Sequence, residues 1–140
     1  MVVTPGEWPG LSDAEACTRY AAGRVENDPA PFTAGSAACD PGTLSQAGIN
    51  DAIRRINLYR GMCGLGPVTD DAQLNAINQH CAVTTAWNPA NASAHHPSPS
   101  ATCYTPEAAQ GAGMSNLAWG PRSPADGIDQ FMIDWGNENT

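Results

Sequence analysis

Apolar residues recur at helical spacing in three stretches of the chain. Ile49, Ile53, Ile56 and Tyr59 follow one another by four, three and three positions and define one helical face, with Thr43 and Gln46 in capping-box spacing ahead of them. Gly61 and Gly64 bracket the expected end of this helix, and Pro67 forbids its continuation. Asp70 or Thr69 then caps a second helix, on which Leu74, Ile77, Cys81 and Thr84 share one face and Ala76, His80, Val83 and Trp87 an adjoining stripe. Ser123 and Pro124 give a cap and a first helical residue to a third helix that buries Ile128, Phe131 and Met132 and ends by Gly136. Ser12 and Glu15 form a further capping box, so a short helix is expected from about Ser12 to Val25. Between these elements, Asn27–Gly42 and Asn88–Gly113 are dense in Pro, Ser, Ala and Gly and read as loops. No segment shows the alternation of a half-buried strand.

A length of 140 residues suits one modest domain, and 41% hydrophobic with 14% charged residues is a globular composition. The 14 Gly and 12 Pro add to the loop content. The formal charge of -8 arises from 14 acidic residues against six arginines, with no lysine, which argues against nucleic acid or an anionic membrane as partner. Divalent cations fit that balance better, although acidity also serves solubility alone. Five cysteines without a CxxC pair favour disulfides and an oxidising compartment. Several two-bridge arrangements are open; the preferred one joins Cys17 to Cys39 and Cys63 to Cys81, leaving Cys103 over. No apolar stretch approaches membrane-spanning length, and Met1 reads as the start of a mature form whose export signal has been removed.

The order of a helix with INLYR at its centre, a GLGPVTDD turn, a second helix ending near Trp87, the run AHHPSPSATCY and the segment GAGMSNLAWG resembles the N-terminal half of the CAP superfamily in its bacterial secreted form. These are the cysteine-rich secretory, antigen 5 and pathogenesis-related proteins. The resemblance implies an α+β, CAP-type α-β-α sandwich, to which this chain supplies mainly helices and loops. It covers residues 43–140 and leaves 1–42 as an accessory N-terminal extension. It also implies a cleft histidine at His95, eight positions before Cys103–Tyr104, and places Ser115 and Asn116 where the family carries a glutamate and an asparagine. Trp119 falls in the same segment, and Trp87 and Trp119 are candidates to line an apolar groove.

A neutral hydroxyl at Ser115 supplies neither a carboxylate base nor an anionic metal ligand. The expectation is therefore a secreted, non-catalytic binding module for a small apolar ligand, a glycan or a divalent cation such as zinc, with His95 as metal ligand. The alternative is a hydrolase or protease of the same fold, completed by a C-terminal fragment that carries a second histidine. A serine hydrolase built on Ser115 and His95 is disfavoured because GxSxG is not spelled, and Cys103 as a nucleophile is disfavoured by the oxidising setting. His96 reads as a solvated loop residue and His80 as a partly buried structural one. The apolar helix faces need a covering sheet, so a fragment of the same precursor, following a truncation or a cleavage near Asn137–Thr140, is the expected partner.

Overall fold

A computed structural model describes Trp8 and residues 10–88 and 94–132. Among them are five helices, α1 (Asp13–Gly23), α2 (Gln46–Met62), α3 (Ala72–Trp87), α4 (Pro106–Met114) and α5 (Pro124–Met132), and two short strands, β1 (Phe32–Thr33) and β2 (Thr43–Leu44). The strands pair antiparallel, with Phe32 opposite Leu44 and Thr33 opposite Thr43. The fold is thus mixed but rich in α-helix. No helix of the described residues is long and apolar enough to cross a membrane. The chain divides into two interleaved units, one drawn from residues 1–31, 45–70 and 120–140, the other from 32–44 and 71–119.

In the first unit α1 and α5 both pack on α2. The predicted box at the start of α1 is present: Ser12 Oγ accepts from Glu15 N, and the Glu15 carboxylate accepts from Ser12 N at 2.9 Å. At α2 the cap moves. Thr43 is held in β2, so Ser45 becomes the first residue free to cap, and its Oγ accepts from Gly48 N at 3.0 Å. The most buried face of α2 is Gly48, Asp51, Arg55, Leu58 and Gly61, one face round from the expected Ile49, Ile53, Ile56 and Tyr59, which are half-buried. Small residues explain this: a methyl group at Gly48 would lie 2.2 Å from Pro31 Cβ, and one at Gly23 2.8 Å from a Leu58 methyl. α5 differs likewise. Ser123 Oγ accepts from Asp126 N as expected, but Ala125, Gly127 and Asp129 are the buried residues, whereas Ile128 is half-buried and Phe131 and Met132 are exposed.

A charged cluster occupies the centre of this unit. Arg55, 1% exposed, is the largest fully buried side chain. Its guanidinium donates to the Asp129 carboxylate, to Arg24 O at 2.8 Å and to Gly23 O at 3.4 Å, and lies 3.6 Å from Glu26. Arg24 also donates to Asp129, at 2.9 Å, and Tyr59 Oη donates to Asp129 Oδ1 at 2.6 Å. Burial pushes the Asp129 carboxyl up, but hydrogen bonds from Tyr59, Arg55 and Arg24 outweigh that and hold its pKa below the ordinary aspartate value. A second carboxylate, Asp51, accepts from Asn27 N at 2.6 Å and Asp28 N at 3.0 Å and so fastens the segment after α1 to α2.

In the second unit α3 and α4 run antiparallel. Thr84, late in α3, donates to Cys103 O just before α4 at 2.7 Å, and Asn78, a turn and a half earlier, meets Ser115 just after it. Asp71, one residue beyond the expected cap, accepts from Gln73 N and Leu74 N. Cys81 and Thr84 are buried as their shared face predicts, but Leu74 is exposed. α4 falls within a segment expected to be a loop. Its start is nevertheless regular: Thr105 caps, Pro106 opens the first turn, and Thr105 Oγ1 accepts from Ala108 N at 3.0 Å. Gly111 permits close packing on α3, since a methyl group there would meet Cys81 Cβ at 2.9 Å.

The β1–β2 hairpin is fastened to this pair by side chains. Gln79 donates to Pro41 O at 2.7 Å, Trp87 Nε1 to Ala38 O at 2.8 Å, and a disulfide joins Cys39 to Cys103, whose α-carbons are 5.2 Å apart. Neither expected bridge forms: Cys17, Cys63 and Cys81 are free thiols. Cys63 is exposed at the end of α2, whereas Cys81 points into the α3–α4 packing against Gly111 and is closed off. Burial also pushes the Cys81 thiol pKa up. Native labelling with a thiol reagent is therefore expected to modify Cys17 and Cys63 quickly, Cys81 only on unfolding, and Cys39 and Cys103 only after reduction. Mass mapping that finds Cys39 labelled without reductant, or Cys17 protected, contradicts the assignment.

Candidate functional site

Helices end with carbonyl groups that have no intrahelical partner. In α4 one of these, Ala112 O, lies in the last turn, and His95 reaches it from the preceding loop with Nδ1 at 2.7 Å. A carbonyl only accepts, so Nδ1 carries the proton in this bond. The loop backbone is close as well, with a methyl group built on Gly113 3.7 Å from His95 O. Three residues further on, Ser115 forms the C-cap of α4 in extended conformation, and its Oγ donates to Asn78 Oδ1 on α3 at 2.7 Å. The same helix end thus holds His95 and Ser115.

Apolar surface surrounds this polar pair in sequence: Met114 is 68% exposed and Trp119 48% exposed. Asn116 is exposed, and among the described residues no hydrogen bond of its side chain fastens it to a second loop. Trp87 is 53% exposed but is committed through Nε1 to the hairpin. His96 is exposed and His80 half-buried on α3, as their sequence contexts suggest. Glu107, in the first turn of α4, has its carboxyl held below the usual range, chiefly by its own backbone N–H and the Thr105 hydroxyl, with the His80 imidazole adding a small attraction.

The bonding pattern limits the chemistry. Ser115 gives its proton to Asn78 and His95 gives Nδ1–H to a backbone carbonyl, so the two are not joined as nucleophile and base. Among the described residues no three His, Cys, Asp or Glu side chains gather where they could hold a metal ion. One imidazole and one hydroxyl fall short of the three or four protein ligands that zinc sites use, so these residues do not by themselves fit a resident zinc. Two participants escape sequence reading: Asn78, which looks like any polar helix residue, and Ala112, which acts through its backbone. No family model, curated protein or solved structure matches the chain.

Proposed function

We propose that the chain is part of a secreted CAP-like domain that acts as a binding module without turnover, its site formed by His95, Ser115, Asn116 and Trp119. The observation that carries this reading is the end of α4, where an anchored imidazole and an anchored hydroxyl are held at one helix end and, among the described residues, no nucleophile–base bond joins them and no hydrogen bond from either goes to a carboxylate. A small ligand with both polar and apolar faces, or a glycan, suits that lining; a divalent cation would be held weakly.

The sandwich itself is part of the proposal. Exposed Leu74, Trp87, Phe131 and Met132 suit helices that await a sheet, and a C-terminal fragment of the same precursor is the partner that would bring it. The Cys39–Cys103 disulfide suits an extracellular setting.

Calorimetric titration with zinc tests the site. The intact chain is expected to give weak binding that His95→Ala removes, and Ser115→Glu to tighten it about tenfold or more by adding an anionic ligand. Equal heats from the intact chain and His95→Ala would take His95 out of the site.

A further inference from the structure

We infer that the Ala112 carbonyl is a positioning group, which fixes His95 in its Nδ1–H tautomer and leaves its Nε2, beside the Ser115 hydroxyl oxygen, as an acceptor for ligands that bring hydrogen-bond donors or positive charge. This inference rests on the binding reading above and names the ligand class of that site.

The argument starts from the needs of the helix. Ala112 O cannot be satisfied within α4, because Ser115 is already extended and the helix ends at Met114. Ala112 is also 1% exposed, which bars water from serving the carbonyl freely. His95 supplies the missing donor. A free neutral imidazole exchanges its proton between two nitrogens, but here loss of the Nδ1 proton would set two lone-pair atoms against each other at 2.7 Å. The proton therefore stays on Nδ1, and Nε2 of the neutral ring bears the lone pair. Among the described residues Nε2 has no hydrogen-bond partner, and His95 is exposed. The same logic applies to Ser115. Its proton is committed to Asn78 Oδ1, so the oxygen presents lone pairs outward.

Both side chains thus offer electron pairs and neither offers a proton. Hydroxyl, ammonium or a cation meets such a face favourably, whereas a phosphate or carboxylate meets lone pairs with lone pairs. Second-neighbour groups that fix an imidazole tautomer commonly decide which nitrogen is available to a ligand, and here a helix carbonyl takes that part.

The test uses the full chain, 15N-labelled, at about pH 8, where an ordinary histidine is neutral. Long-range 1H–15N correlation distinguishes protonated from unprotonated ring nitrogens, and the His95 signals are those lost in His95→Asn. A protonated Nδ1 with an unprotonated Nε2 is expected; a protonated Nε2, or averaged shifts like those of His96, would overturn the inference. Two variants check the anchoring. Asparagine places its amide about where Nδ1 lies, so His95→Asn is expected to keep the parent thermal midpoint, while His95→Gln, which reaches the Nε2 position instead, is expected to lower it by about 3–5 °C. The reverse order counts against Ala112 as the partner.

Ligand class is read on the same Nε2 signal with zinc chloride, diacetylchitobiose and sodium phosphate. Zinc or the disaccharide should move it and phosphate should not; a response to phosphate alone would overturn the acceptor role of Nε2. Silence from all three with the Nδ1–H tautomer intact would refute the binding reading and leave the positioning role of Ala112 standing.

Discussion

Replacing Asp129 by alanine is expected to destabilise the chain by about 3–5 kcal/mol, the usual cost of stranding a buried charge whose partner has been removed. Arg55 would be that charge. Its side chain is almost wholly inaccessible, and Glu26 at 3.6 Å is too loosely placed to replace the direct bond to Asp129. Chemical denaturation of Asp129→Ala is the measurement, and a loss below about 1 kcal/mol would show that water reaches the cluster. The double variant Arg55→Met/Asp129→Leu should recover most of the loss, because apolar replacement of a whole buried pair is often neutral or stabilising. The pH dependence follows from the same carboxylate. Its native pKa is held below the unfolded value, so its contribution is complete above about pH 4 and is lost as pH falls through and below that point. Asp51 is shifted in the same direction, since its hydrogen bonds from backbone and Arg54 outweigh its burial, and it steepens the loss. An acid titration of stability that stays flat down to about pH 3 would contradict both assignments.

Removing the disulfide is expected to cost nearly as much. Cys39 and Cys103 are 64 residues apart, and the chain-entropy relation for a loop of that length gives about 4 kcal/mol at room temperature. Cys39→Ser/Cys103→Ser should therefore unfold at markedly lower denaturant, with the hairpin loosened first because, among the described residues, the side chains of Gln79 and Trp87 are what then bond it to α3. Comparable loss on adding reductant to the parent, and none on adding it to the double variant, would attribute the effect to this bond. Unchanged stability in the double variant would refute it.

Helix starts are the most legible part of this fold, because a cap is a local matter of a few side chains and amides. Ser12 with Glu15 and Ser123 with Pro124 read correctly for that reason, and Thr105–Pro106 carries the same signal, masked by the Pro- and Ser-rich text before it and by Gly111 and Gly113 within the helix. Faces were harder to read than boundaries. Hydrophobic periodicity treats Asp51, Arg55 and Asp129 as outward-facing, since charged residues are almost never fully buried unless paired, and the pairing here joins residues 74 positions apart. The disulfide was illegible for a similar reason: connectivity depends on where the hairpin lands, which spacing does not encode. At the candidate site, His95 and Ser115 are picked out by motif resemblance, whereas their anchors are a backbone carbonyl and an ordinary helix asparagine, neither of which leaves a mark in the sequence.

The ionic centre around Arg55 has a thermal consequence. The heat capacity change of unfolding rises with the apolar area exposed and falls with the polar area exposed. Here the buried apolar side chains among the described residues are small or few, Leu58 and Ala125 in the first unit and Cys81, Ala108 and Ala112 in the second, while Arg55, Asp51 and Asp129 are buried in the first unit as well. The curve of stability against temperature is accordingly expected to be shallow for a chain of this length, which calorimetry would read as a low heat-capacity change of unfolding.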